Sequence, residues 1–363
     1  MPERRTAKVE IRANLASLVA NFEDGKAIGE AATRGVDSAR RYITGVFDPI
    51  DFETITLNDV RGLVVAGNEC GSLPELLVRF PFIQYFMQTE TNLYRIARRF
   101  IEDCAHDGIV YVEPRVAPAI YTRKGLSYEQ IFRAVAEGLQ QGEREFGVKS
   151  RIIMTVDRHN PEEAKEALAR AGEFTRYGVV AVDVAGAERG YPVKDYWEQL
   201  RALIGSDLEV TIHAGEDFGP ESIRQAIKYG DAARVGHALT LINDPQLMEY
   251  FLRRRIGIEV CLSSNLQTNP NLKLEEHPVI YYAKRGARWF LNTDNRTICN
   301  TTLTDEYLMA ARAFGWGTIR FTHGILNGFK SAFLPFDERR ALHQIAVRQI
   351  LDLQREYKVI EPA

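Results

Sequence analysis

From about residue 109 to residue 293, short runs rich in Val and Ile alternate with longer stretches whose apolar positions recur at helical spacing. Eight runs read as strands: Lys8–Asn14, Ile109–Val116, Ser150–Val156, Val179–Val184, Glu209–His213, Arg234–His237, Gly257–Leu262 and Arg288–Thr293. Most are apolar on both faces, as strands of a covered parallel sheet are. The intervening stretches Tyr128–Phe146, Pro161–Tyr177, Val193–Ile204 and Pro220–Tyr229 open on Pro or small polar residues and often close near Gly, which predicts helices.

Repeated strand and helix units predict an α/β chain closed into a (β/α)8 TIM barrel, read as one domain over residues 1–363. A helical insertion after the first strand, about residues 19–107 and including Asn92–Ala105, is expected to cap the strand ends. A helical C-terminal tail follows to Tyr357.

Composition narrows the partners. With 45% hydrophobic residues the chain has material for a large core. Its 46 basic and 49 acidic residues, net −3, leave no electrostatic footprint for nucleic acid or an anionic membrane, so a small-molecule heterocyclic substrate is favoured and association into a homo-oligomer is left open. Four scattered cysteines without a C-x-x-C pair, an N-terminus that does not read as a signal peptide, and no run approaching the roughly 20 apolar residues of a membrane span together point to the cytoplasm.

Barrel active sites lie at the C-terminal ends of the strands. Those ends carry Glu113 and Arg115, Asp157 and His159, Asp183 and Gly186, His213 and Glu216, His237, Ser263 to Asn265, and Asp294 with Asn295. A lone His or acid is more often a satisfied core residue than a functional one; so many on one rim read as a site.

The segments Thr211-Ile-His-Ala-Gly-Glu216, Arg234-Val-Gly-His237, Cys261-Leu-Ser-Ser-Asn265 and Asn292-Thr-Asp-Asn295 resemble, in order and spacing, the fifth- to eighth-strand motifs of the adenosine and AMP deaminase family. Tyr111-Val-Glu-Pro-Arg115, Arg158-His159 and Asp183-Val-Ala-Gly-Ala-Glu188 are similar to its earlier motifs. The resemblance implies that His213 is a zinc ligand and that Glu216 serves the purine ring nitrogen beside the reacting carbon. It implies that His237 orients the attacking water, that Asp294 binds metal and accepts a proton, that Gly186 and Asn295 meet the purine edge, and that Asp183 and Ser264 line the substrate pocket.

One motif departs from the family. Where its first strand ends in His-x-His-Leu-Asp-Gly, this chain reads Arg12-Ala13-Asn14-Leu15-Ala16-Ser17, and no His precedes His106. Zinc needs three or four N, S or O ligands. His213 and Asp294 are then remnant ligands of an incomplete site, and Arg12, a permanent cation, offers no acceptor. No cofactor is expected on this reading. Zinc brings the pKa of bound water from about 15.7 to about 7, an upper bound of roughly 12 kcal/mol, whereas a base alone recovers about 10²- to 10⁴-fold in rate.

Three functions stay open. The first is metal-independent acid/base chemistry on a purine-like or other nitrogen heterocycle (elimination, isomerisation, cyclisation or hydration), with Arg12 and Asn14 holding an anionic or carbonyl group. The second is an adenosine or amino-purine deaminase with an atypical metal site. The third is a catalytically silent purine-binding or regulatory protein.

Overall fold

The structure is a computed structural model that describes residues 56–67 and 70–357. By internal packing the chain divides into two compact units, Met1–Val60 and Arg61–Ala363, and the described strands all lie in the second. The strand expected at Lys8–Asn14 lies outside the described residues.

Nine parallel strands are described: β1 (Tyr111–Val112), β2 (Arg115–Val116), β3 (Lys149–Ser150), β4 (Ile152–Asp157), β5 (Val179–Ala185), β6 (Glu209–Ala214), β7 (Arg234–His237), β8 (Gly257–Val260) and β9 (Arg288–Leu291). They form a seven-stranded sheet in the order β2-β4-β5-β6-β7-β8-β9 and a small sheet β1-β3. Each strand after β4 pairs with its predecessor in sequence across a helical crossover, the βα succession of the barrel read from the sequence.

The run expected at Ile109–Val116 is two strands rather than one. Pro114 has no N–H to give the ladder, and the chain breaks there into β1 and β2, which pair with β3 and β4 respectively. Likewise β8 stops at Val260 instead of Leu262. The buried Glu306 carboxyl accepts the backbone N–H groups of Leu262 and Ser263, so the chain turns at once into the helix Leu262–Thr268 with its first N–H groups capped. Ser263 to Asn265 therefore sit on a helix at the rim.

The predicted helices are present with adjusted ends. Glu90–His106 starts from Thr89, whose side chain accepts from Asn92 N–H, and Tyr128–Phe146 opens on a capping box between Ser127 and Gln130. The stretch Pro161–Tyr177 divides into an α-helix, Pro161–Arg170, and a 3-10 turn, Ala171–Tyr177; Val193–Ile204 likewise divides into Val193–Tyr196 and Trp197–Ala202. The tail is three helices, Leu303–Phe314, Thr318–Ser331 and Phe336–Glu356. Among the described residues no helix is long and apolar enough to cross a membrane.

Side-chain alternation along the strands sorts the molecule into two layers. On β6, Val210, Ile212 and Ala214 join the apolar core, which includes Val182 and Val184 of β5, Val235 of β7 and Ile258 of β8. Thr211 and His213 point the other way, toward a buried polar network that links β2, β5, β6, β7 and β8.

Candidate active site

Within the barrel that network runs as an unbroken chain. Arg234 reaches Glu113 Oε2 at 2.6 Å and Glu259 Oε1 at 2.8 Å, and Glu259 also takes Thr211 Oγ1 at 3.2 Å. Arg115 bridges Glu259 to Asp183, reaching Asp183 Oδ2 at 2.8 Å. Asp183 Oδ1 then meets His213 Nδ1 at 3.0 Å. Burial alone would raise the Asp183 carboxyl, but His213 and Arg115 beside it hold it far below the usual range. Burial likewise lowers His213, and the Asp183 carboxylate outweighs it and raises the imidazole. This contact at Nδ1 turns His213 Nε2 away from Asp183, as in the carboxylate–histidine pairs that present a ring nitrogen to a metal.

Glu216 is placed by a different device. The segment after β6 is held by Glu188, whose carboxylate accepts backbone N–H groups from Gly215 at 2.8 Å, Glu216 at 2.7 Å and Asp217 at 3.3 Å. Buried Arg158 donates to the carbonyls of Val184 and His213, tying β5 to β6 beneath that segment. So held, the Glu216 carboxylate is buried, takes Thr268 Oγ1 at 3.2 Å and faces His237 Nε2 at 3.4 Å. Burial raises its carboxyl pKa; His237 and His213 oppose the rise, and Asp294 adds to it.

At the ends of β7 and β9 the backbone is strained. His237, Ala238 and Asp294 have φ of 63°, 49° and 52°, a region non-glycine residues seldom adopt and one that persists where function or packing requires it. The His213 and His237 rings lie 5.2 Å apart, and Asn295 Nδ2 donates to Asp294 Oδ1 at 2.8 Å.

Gly186, after β5, has φ of 100°, and a Cβ there would come within 2.9 Å of Asp157 Oδ1 and 3.0 Å of His159 Cε1. Only glycine fits this approach without displacing the Asp157–His159 pair, which is itself joined at 2.7 Å. Ser264 is buried on the rim helix. The structure thus brings together His213, Glu216, His237, Asp294 and Asp183, with Asn295, Gly186 and Ser264 on neighbouring strand ends or the rim helix. Arg12 and Asn14 lie outside the described residues. Sequence reasoning assigned no task to Glu188, Glu259 or His277; Glu188 alone carried a signal, as the acid closing the Asp183-to-Glu188 motif.

Zinc can be tested against the described donors. His213, oriented through Nδ1, turns its Nε2 away from Asp183, and Asp294 supplies a carboxylate, a donor pair that suits zinc. Among the described residues no three His, Cys, Asp or Glu side chains gather as a metal-holding group, so a four-coordinate ion would draw its other ligands from water, substrate or residues beyond these.

A family model described as Adenosine deaminase matches residues 53–348. Adenosine deaminase of Mycobacteroides abscessus is 36% identical over 290 residues, covering 76% of this chain and 80% of the relative. Adenosine deaminase 1 of Streptomyces coelicolor is 37% identical over 290 residues, covering 76% and 73%. Among solved structures, adenine deaminase from Arthrobacter aurescens superposes with a TM-score of 0.75 at 19% identity over 87% of this chain and 94% of that one. An amidohydrolase from Burkholderia ambifaria with bound Zn gives 0.77 at 21% over 91% and 89%. An Arabidopsis protein complexed with IMP gives 0.71 at 23% over 83% and 89%.

These likenesses establish the TIM-barrel fold and correct one expectation. The adenosine deaminase relatives and the zinc-bound neighbour point to a zinc-dependent family, which overturns the reading of a site that needs no cofactor and with it the main support for metal-independent chemistry. The substitution on which that reading turned, Arg12-Ala13-Asn14, falls before residue 53, where the family match begins. The chain belongs to the adenosine deaminase family.

Proposed function

We propose that the chain is a hydrolytic deaminase of an adenine-type amino-purine, replacing the exocyclic amine by oxygen with release of ammonia. The observation that carries this reading is Glu216: a buried carboxyl held toward its protonated form, set among His213, His237 and Asp294 at the ends of β6, β7 and β9. Protonated Glu216 donates to the ring nitrogen beside the reacting carbon, drawing electron density away so that water adds there. His237 orients that water, and Asp294 accepts its proton. The proton then passes to the amine, which leaves as ammonia while Glu216 recovers its own.

His213 Nε2 and Asp294 would hold zinc, which when bound lowers the pKa of water into the neutral range. Asn295, Gly186, Asp183 and Ser264 are read as the pocket wall on which the heterocycle rests, Asp183 acting through His213.

The test is ammonia release by the full chain, supplied with zinc, from adenosine, adenine and AMP in turn. At least one is expected to be turned over, with Glu216→Gln slower by about 10²- to 10⁴-fold. Ammonia from none of the three would sink the reading.

A further inference from the structure

Behind His237 a line of buried hydrogen bonds runs away from the site and ends on a backbone amide. His237, Asn265 and His277 are 2%, 0% and 1% exposed. Val279 N–H donates to His277 Nδ1 at 3.1 Å, His277 Nε2 lies 3.2 Å from Asn265 Oδ1, and Asn265 Nδ2 lies 2.9 Å from His237 Nδ1. At the far end His237 Nε2 faces Glu216.

Only one set of proton positions satisfies all these contacts. A backbone amide can only donate, so His277 Nδ1 is bare. Burial pushes the His277 imidazole down to about 3, so the ring is neutral and its one proton sits on Nε2. That N–H requires an acceptor, which makes the atom of Asn265 facing it the amide oxygen. The orientation of this amide, which shape alone leaves ambiguous, is thereby set by its partner. Its NH2 group then points at His237 Nδ1 and requires that nitrogen to be bare as well. The proton of a neutral His237 is left on Nε2, directed into the site.

We propose that His277 and Asn265 are positioning residues that lock His237 as the neutral Nε2–H tautomer, so that His237 works as a hydrogen-bond donor to the incoming oxygen and not as the base that deprotonates it. The tautomer stands on the hydrogen bonds alone; its catalytic use rests on the deaminase reading above. Asn265 without His277 is insufficient, because an amide free to turn over can present its oxygen to Nδ1 and stabilise the opposite tautomer. His277 matters because the Val279 amide, fixed at the start of the helix Val279–Lys284, cannot reverse its polarity.

Two-bond ¹H–¹⁵N correlation spectra of the full chain labelled in histidine separate bare from protonated ring nitrogens, with His237→Gln and His277→Gln assigning the two rings. The expected spectrum has His237 and His277 both protonated at Nε2 and bare at Nδ1. Asn265→Asp puts an acceptor-only group against Nδ1, so the His237 proton should move there and kcat should fall by at least about tenfold with little change in KM. His277→Gln keeps an acceptor and a donor in line and should retain the Nε2–H form, whereas His277→Leu should lose it. A wild-type His237 protonated at Nδ1 overturns the proposal without need of any variant. So does Asn265→Asp that reverses the tautomer and leaves kcat unchanged. Absence of ammonia release with the tautomer in place counts instead against the deaminase reading and leaves the lock standing.

Discussion

Glu216 lies in the fold in a state water would not favour, and its stability signature should show it. Burial raises its carboxyl above the ordinary 4.5, so the folded protein holds this proton more tightly than the unfolded chain does. The sign follows from that difference. As pH rises from about 4 toward the folded value the unfolded state loses its proton first, and stability falls across that window. Glu216→Gln, which keeps the acceptor for Thr268 and removes the charge, should therefore match wild type below pH 4 and be the more stable protein at pH 7 in denaturant titrations. A wild type more stable than the variant at pH 7 would mean that the charged form is favoured by the fold. The residue was legible in the sequence through its place three after His213. Its environment was not, because Thr268, His237 and the three amides that grip Glu188 converge only in space.

At the scale of elements, the helices Glu90–His106 and Tyr128–Phe146 approach so closely that two glycines are structural requirements. A Cβ on Gly138 would lie 2.3 Å from Tyr94 O and 2.9 Å from Ala97 Cβ, and one on Gly142 would lie 2.6 Å from Ile101 Cβ. Two effects oppose each other in Gly138→Ala. Helix propensity favours alanine by about 1 kcal/mol, but forcing a methyl against backbone costs typically about 1–3 kcal/mol. With a carbonyl as the obstacle the cost falls in the upper part of that range, about 2–3 kcal/mol, and we expect net destabilisation by about 1–2 kcal/mol in denaturant melts. Gly172→Ala, where a Cβ meets nothing within 4 Å, serves as the control and should be neutral or slightly stabilising. Equal stability of the two variants would show that the helix pair can relax. The helix ends themselves were readable, since Thr89, Ser127 and Gly147 are local signals that act within one turn. Less readable was the break at Pro114 between β1 and β2, which appears only once the partners β3 and β4 are known.

For the whole molecule, the family relationship makes metal linkage the sharpest test. A ligand that binds only the folded state at 100 times its Kd adds about 2.7 kcal/mol of stability. Zinc should accordingly raise the melting temperature, chelation should lower it and stop turnover, and His213→Gln should lose the zinc-dependent shift; a melting temperature indifferent to both zinc and chelator would remove zinc from this site. The sequence by itself determined the barrel, through mostly apolar runs spaced by amphipathic stretches, and it determined the family, through motifs at the ends of strands, because both are written in short-range periodicity and spacing. It also carried the identities of His213, Glu216, His237 and Asp294. Only the tertiary structure decided what state those residues are in. The Asp183 carboxylate that orients His213 is 30 residues away in the chain, and the Asn265 amide that faces His237 is 28 away. Proton positions and pKa values depend on such neighbours and on exclusion of water, and these come into being only when the strands close around them.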